Sequence, residues 1–278
     1  MISSAGMAER ISDGELVRRC RAGEEAAWNE LVERYSRYVY AIASQGYRLS
    51  LHDAEDVFQD VFLRAYNRLE NLRDAAALRP WLGQLTRRTC LDRLASAARE
   101  SPAETLEPTE TAETLLGIEE ALDVHDALAE LGPPCSEILD RFFARDESYR
   151  TIGDALEIPG GTIASRISRC LAKLREQLEG RNDAAETSGH LMSRYGFDEE
   201  LLGELLRRLP PVPQGWVEAA QELPRARRVL DEIVTRAEAD LEYRRAVLAD
   251  LEAALAEAGL QAPTPTLAAE LRRRFSHT

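Results

Sequence analysis

Five side chains between residues 162 and 173 have the types and spacing to grip a polyanion. On a helical wheel Thr162, Ser165, Arg166, Arg169 and Lys173 share one face, and Ile163, Ile167, Cys170, Leu171, Leu174 and Leu178 share the other. Guanidinium groups donate to guanine edges or phosphate, hydroxyls contact either, and a helix N-terminus favours a phosphate. A short helix precedes this one, and the segment Glu157-Ile158-Pro159-Gly160-Gly161 between them has turn composition, so the spacing is that of a helix-turn-helix. An amphipathic helix with a merely solvated basic face has the same pattern, so the wheel alone leaves both options open.

A second constellation lies in Asp53 to Leu69. Val57, Phe58, Val61, Phe62, Ala65 and Leu69 form a buried stripe, while Asp56, Gln59, Asp60, Leu63 and Asn67 face outward. An exposed leucine ringed by carboxylates has the make-up of a contact surface for a basic protein partner. A charged, solvated helix face is the alternative. No chemistry of catalytic type is legible: His190 and His277 stand in polar segments, and neither a phosphate-binding glycine loop nor a metalloprotease motif occurs. The expectation is a protein without enzyme activity, cofactor or metal. The four cysteines, Cys20, Cys90, Cys135 and Cys170, are scattered and are expected to be reduced, mostly buried thiols.

The elements that must position these faces are helical throughout. From Asp13, a candidate cap, apolar residues return at helical spacing through Leu16, Val17, Trp28, Leu31, Val32, Tyr35, Val39 and Ile42. A block over 53–69 begins with another candidate cap, Asp53, and a third follows Pro80 to about Arg99. Residues 1–12 have no periodicity. Residues 101–118 carry two prolines and part of an acidic run, and are expected to be a linker with too little apolar surface to order itself. Four further helices follow up to about 180. The expected fold class is therefore all-α, with a helical domain at 13–100, an acidic linker at 101–120, a second domain at 121–180, a linker at 181–196 and a helical extension at 197–278.

The net charge of −14 argues at first against a nucleic-acid partner. Its distribution matters more: nine acidic residues and no Lys or Arg fall between Glu100 and Asp126, leaving the flanking domains nearer balance. No run reaches the roughly 18–20 apolar residues of a membrane span, and there is no apolar signal core, so no membrane partner and a cytoplasmic location are expected.

Several motifs then occur in one order: D-A-E-D-x-x-Q-D-x-F-L-R-A-Y at 53–66, P-W-L and L-D-R-L within 80–94, L-x-P-P and S-Y-x-x-I within 131–152, and I-P-x-G-T-I-x-S-R-I-S-R at 158–169. Over roughly 13–180 the chain resembles the extracytoplasmic-function (ECF) sigma factors. The resemblance implies promoter-specific transcription initiation by two domains, of sigma region 2 and region 4 type, held on core RNA polymerase. It implies that Asp56, Gln59, Asp60 and Leu63 bind the clamp helices of the largest subunit. It implies that Trp81, Arg87, Arg88 and Arg93 contact the opened minus 10 strand, and that Thr162, Ser165, Arg166, Arg169 and Lys173 read the minus 35 element. The acidic linker would pass through the polymerase's RNA path. Three positions depart from the usual pattern: Arg88 stands for a common Asn, Ala164 for a frequent basic residue, and Glu157 for a Gly that allows a left-handed turn.

Residues 197–278 lie beyond the resemblance. Phe197 to Leu209 is an amphipathic helix ended by the prolines at 210, 211 and 213. From Arg225 to Ala258 a heptad-like stripe suggests a helix about 50 Å long, with Arg244 and Arg245 marking a bend or a partner contact, and a last helix spans Thr266 to Phe275. The stripe must be buried somewhere. Expectations are a regulator packed on one or both DNA-binding domains, a docking surface for another protein, or a stabilising bundle, with an anti-sigma factor or this intramolecular domain as the controlling partner. The alternative for the chain is a dimeric helix-turn-helix regulator that binds operators without polymerase through this seam.

Overall fold

A computed structural model describes residues 11–100, 112–184 and 199–249, and every regular element among them is helical. The first unit comprises α1 (Asp13–Arg21), α2 (Glu25–Ala41), α3 (Leu51–Arg68) and α4 (Leu78–Glu100), with a π-helical turn, Ile42–Gly46, continuing α2. Its core is unusually aromatic: Trp28, Tyr35, Tyr38, Phe58 and Phe62 are almost wholly buried. The caps are serines, not the aspartates expected. The Ser12 hydroxyl accepts from the Glu15 amide at 3.3 Å, and Ser50 accepts from Asp53 at 3.1 Å. A cap needs the extended backbone of the residue outside the helix, which leaves Asp13 and Asp53 in the first turn, where carboxylates suit the helix dipole.

The second unit comprises α5 (Ala112–Leu131), α6 (Pro133–Leu139) with a π turn at Asp140–Ala144, α7 (Tyr149–Leu156) and α8 (Gly160–Ala184). Helix α5 starts inside the segment expected to be linker, because Leu115, Ile118, Ala121 and Leu122 find an apolar surface on the first unit. It packs on α2 and on the first π turn. A Cβ at Gly46 would stand 3.4 Å from Leu115 and 3.9 Å from Ile118, so α5 lies directly against that turn.

The extension comprises α9 (Glu199–Arg208), α10 (Gln214–Gln221), α11 (Leu223–Ala239) and α12 (Leu241–Ala249). Helix α9 packs on α5 and on the second π turn, whereas α10 packs on α2 and α3, and α11 reaches α3. One segment therefore spans both units. The expected 50 Å helix is interrupted at Asp240, whose extended backbone ends α11 and whose carboxylate accepts from the amides of Glu242 and Tyr243 at 2.8 and 3.0 Å. That cap, and not Arg244 and Arg245, makes the bend. Of the stripe residues, Leu230 and Ala237 are at most 2% exposed within this one chain, whereas Leu241 is 69% exposed. The expected helix at 266–275 lies outside the described residues.

Candidate nucleic-acid interface

Helices α7 and α8 form the helix-turn-helix. Ser148 caps α7 by accepting from the Thr151 amide at 3.2 Å, and α7 presents Ile152 to the core. Two backbone positions set the angle between the helices. A Cβ at Gly153 would stand 2.7 Å from the Ile158 carbonyl oxygen, a contact that only glycine avoids. Glu157 ends α7 in the left-handed region, φ 54° and ψ 38°, so the turn keeps the usual geometry without the usual glycine. Relieving that strain by Glu157→Gly is expected to stabilise the second unit by about 1 kcal/mol in chemical denaturation, with DNA binding retained. A destabilised variant would show that Glu157 is not strained there.

On α8, Ser165, Arg169 and Lys173 are exposed while Thr162 and Arg166 are half-buried at its edge. The Arg169 Nε donates to the Ser165 carbonyl at 3.2 Å, holding its stem along the helix. Ile163 and Leu174 on the opposite face are fully buried. The wheel thus has the orientation expected. The thiols do not behave as expected: Cys135 on α6 and Cys170 on α8 form a disulfide, bracing the base of this helix. Its partners are 35 residues apart in sequence, so pairing depends on tertiary packing that motif spacing cannot reveal. Cys90 is a buried free thiol, and burial pushes the Cys20 thiol up to about 12.

The residues singled out on α3 and α4 are joined to one another. Arg93 donates to Asp53 at 2.7 Å and pairs with Asp56 at 3.0 Å, while Arg64 pairs with Asp60 at 3.1 Å. The Asp53 carboxyl is held below its ordinary value: burial opposes this, but the Ser50 hydroxyl and Arg93 outweigh it. Gln59 lies beside Glu55, its side chain donating at 3.4 Å. Leu63 is a correction, being buried and only 8% exposed. A wheel grants a helix one buried face, whereas α3 is packed by α2, α4, α10 and α11. Trp81 is half-buried against the core, and Arg88 is exposed.

Arg87 turns towards α5, where its Nη2 is 3.5 Å from Glu119. There it meets Arg79, whose Nε donates to Glu119 at 2.8 Å and whose other nitrogens reach Asp123 and the Glu119 carbonyl. Tyr38 also donates to Glu119. This cluster is half-buried, with Arg79 22% exposed. Burial pulls the Arg79 guanidinium down, but Asp123 and Glu119 together raise it above its ordinary value. Sequence patterning missed Arg79 and Tyr38, since neither lies in a motif whose spacing reports a partner about 40 or 80 residues away, and it missed Gly153, whose close approach to the Ile158 carbonyl appears only once the turn is folded.

His125 on α5 has its Nε2 3.2 Å from the Leu206 carbonyl of α9, to which it donates. Burial first, then Arg37, lowers its pKa from 6.5 to about 4 against the Leu206 carbonyl and Asp140. A form in which the extension is undocked takes up the proton first. Docking is therefore fully supported above pH 6.5 and loses support as pH falls towards 4, by about 2 kcal/mol between pH 7 and 5. Hydrogen exchange of α9 should accelerate across that window, and His125→Gln should remove the extra slope. Equal slopes in both proteins would mean that other groups govern docking.

Among the described residues, no group of three or more His, Cys, Asp or Glu side chains is placed to hold a metal ion, and no helix is long and apolar enough to cross a membrane. Residues 31–100 match the Sigma-70 region 2 family and residues 127–176 match Sigma-70, region 4. The chain is 31% identical over 179 residues to the ECF RNA polymerase sigma factor SigM of Mycobacterium tuberculosis, covering 64% of this chain and 89% of that protein. It is 28% identical over 198 residues to the ECF RNA polymerase sigma-E factor of Haemophilus influenzae, covering 63% and 97%. The corresponding sigma-E factor of Escherichia coli K12 is 28% identical over 186 residues, covering 59% and 92%. The family matches end at residue 176, before α9 begins.

Proposed function

We propose, for a chain that belongs to the ECF RNA polymerase sigma factors and directs promoter-specific transcription initiation, that its C-terminal extension restrains it in cis. Core RNA polymerase and promoter DNA are its partners. The α3 side chains Asp56, Gln59 and Asp60, with Leu63 supporting them from below, are assigned to the polymerase clamp helices. Trp81, Arg87, Arg88 and Arg93 are assigned to the minus 10 strand, where extruded bases need stacking and cationic groups. The α8 face of Thr162, Ser165, Arg166, Arg169 and Lys173 is assigned to the minus 35 major groove.

The observation that carries the restraint is the seat of α10. Trp216 stands edge-on to Tyr40 at 5.5 Å and tilted against Phe58 at 5.8 Å, and Trp28 donates to the Ala220 carbonyl at 2.8 Å. Arg227 and Arg228 add contacts to Asn67 and Glu25. Meanwhile α9 holds the region 4 unit through Arg207, which donates to the Phe143 carbonyl at 2.8 Å. A segment seated on both units ties them together, and any ligand that needs them apart must work against it. The covering partner that an anti-sigma factor would supply is here part of the chain itself.

A dimer seam is the poorer account of the part of the stripe on α11, because Leu230 and Ala237 are already buried within one chain, and Leu241 at the start of α12 is its exposed member. Reconstituted transcription decides the matter. A chain ending at Gly180 is expected to bind core polymerase more tightly and to initiate more often than the full chain. Equal affinity and activity would remove the cis-restraint, and operator binding by the full chain without polymerase would favour the dimeric regulator.

A further inference from the structure

We infer that the acidic edge of α5 is an internal competitor for the phosphate backbone of single-stranded promoter DNA, clamped on the α4 arginines until DNA or polymerase displaces it. This rests on the assignment above of α4 to the minus 10 strand, and it concerns a different element from the C-terminal extension. Two carboxylates one helical turn apart, Glu119 and Asp123, present their oxygens to Arg79, and Glu119 also takes Arg87 and the Tyr38 hydroxyl. A phosphodiester strand offers the same thing to arginines, negative oxygens at a spacing that a guanidinium fork spans. The two ligands exclude each other, because Arg79 is largely enclosed between α4 and α5. The apolar part of the same joint, Gly46 against Leu115 and Ile118, keeps α5 in register with the arginines.

The consequence concerns both DNA-reading surfaces. While α5 is seated, the region 4 unit is fixed to region 2 and Arg79 and Arg87 are occupied. Once a polyanion takes the arginines, α5 loses its ionic partners and its joint with region 2 opens, leaving the extension as the remaining tie between the units. Strand binding and release of α5 are then one coupled equilibrium, in which the free chain is biased to the seated form.

The test uses the full chain carrying Glu119→Gln and Asp123→Asn, which keep side-chain size and remove the competing charge. Affinity for a fluorescent single-stranded minus 10 oligonucleotide is measured without polymerase, and opening of the joint is measured by hydrogen exchange across α5. The double variant is expected to exchange faster across α5 and to bind the strand about tenfold or more tightly, the factor by which seated molecules had outnumbered open ones. Adding Arg79→Ala and Arg87→Ala to the double variant should abolish the gain, which a general reduction of negative charge would not explain. Retained helix content by circular dichroism keeps misfolding from imitating the result.

If the variant opens but binds DNA no better, or does neither, the competitor is refuted. Promoter-specific transcription by the same variant with core polymerase separates the two levels. Normal transcription with no gain in strand binding defeats only the α5 proposal, whereas failure of both wild type and variant to initiate at any promoter defeats the assignment of α4 as well.

Discussion

Truncating Trp216 to alanine is expected to release the C-terminal extension from region 2 while both DNA-binding units stay folded. Its indole is only 8% exposed and stands against Tyr40 and Phe58, which belong to two different helices of the first unit. Removing a buried tryptophan costs about 3–5 kcal/mol, from lost transfer energy and the cavity left behind. The short helix α10 has few other apolar anchors, chiefly Val217 and Ala220, so a loss of that size exceeds what the remainder supplies. The result should be seen as rapid hydrogen exchange across α10 and α11, with exchange in α3 and α8 little changed. Core polymerase affinity should rise to that of a chain ending at Gly180. If the main unfolding transition drops instead, with exchange rising together in α2, α3 and α10, then Trp216 belongs to the region 2 core and the extension is no separable restraint.

The helix-turn-helix was legible because its signals are local. Turn residues interrupt two apolar periods, and the outward arginines follow from the wheel without knowledge of anything distant. The departure at Glu157 was also legible as a conflict between residue type and turn geometry, and the backbone resolves it by keeping the left-handed turn. Leu63 was misjudged for the converse reason. Its exposure on the wheel assumed one packed face, and α3 is enclosed by elements far away in the chain. The segment at 112–120 failed similarly: acidic composition suggests a linker, but Glu119 is neutralised by arginines from α4 and becomes a reason for order. Charge read along a chain cannot distinguish a solvated run from one half of an ion-pair cluster.

Two of the docking sites between units lie on π turns, Ile42–Gly46 beneath α5 and Asp140–Ala144 beneath α9. A π turn widens the helix and reshapes its surface locally, and such turns gather at functional positions. Neither is marked by proline or by a broken apolar period, so neither was readable beforehand. The two joints differ in what would loosen them. The α5 joint is held by ion pairs and yields to a competing polyanion, while the α9 joint contains the neutral His125 and yields to protons.

The complementary experiment lies on the α8 face, where Ser165, Arg169 and Lys173 are exposed among the described residues. Replacing Arg166 and Arg169 together by alanine is expected to weaken binding to a minus 35 element about a hundredfold or more, since each good base contact contributes roughly 1–3 kcal/mol. Arg169 is exposed and its Nε already rests on the Ser165 carbonyl, so little side-chain freedom is left to lose on docking. Arg166 is half-buried at the edge of the same face. Thermal stability and core polymerase affinity should not change, because neither side chain holds the unit together. Lys173→Ala should behave differently, weakening binding to all sequences alike and lowering the salt slope by about one, as expected of a phosphate contact. If the double variant initiates normally at promoters that need a minus 35 element, α8 does not read DNA, and the assignment of this face fails however well its motifs match.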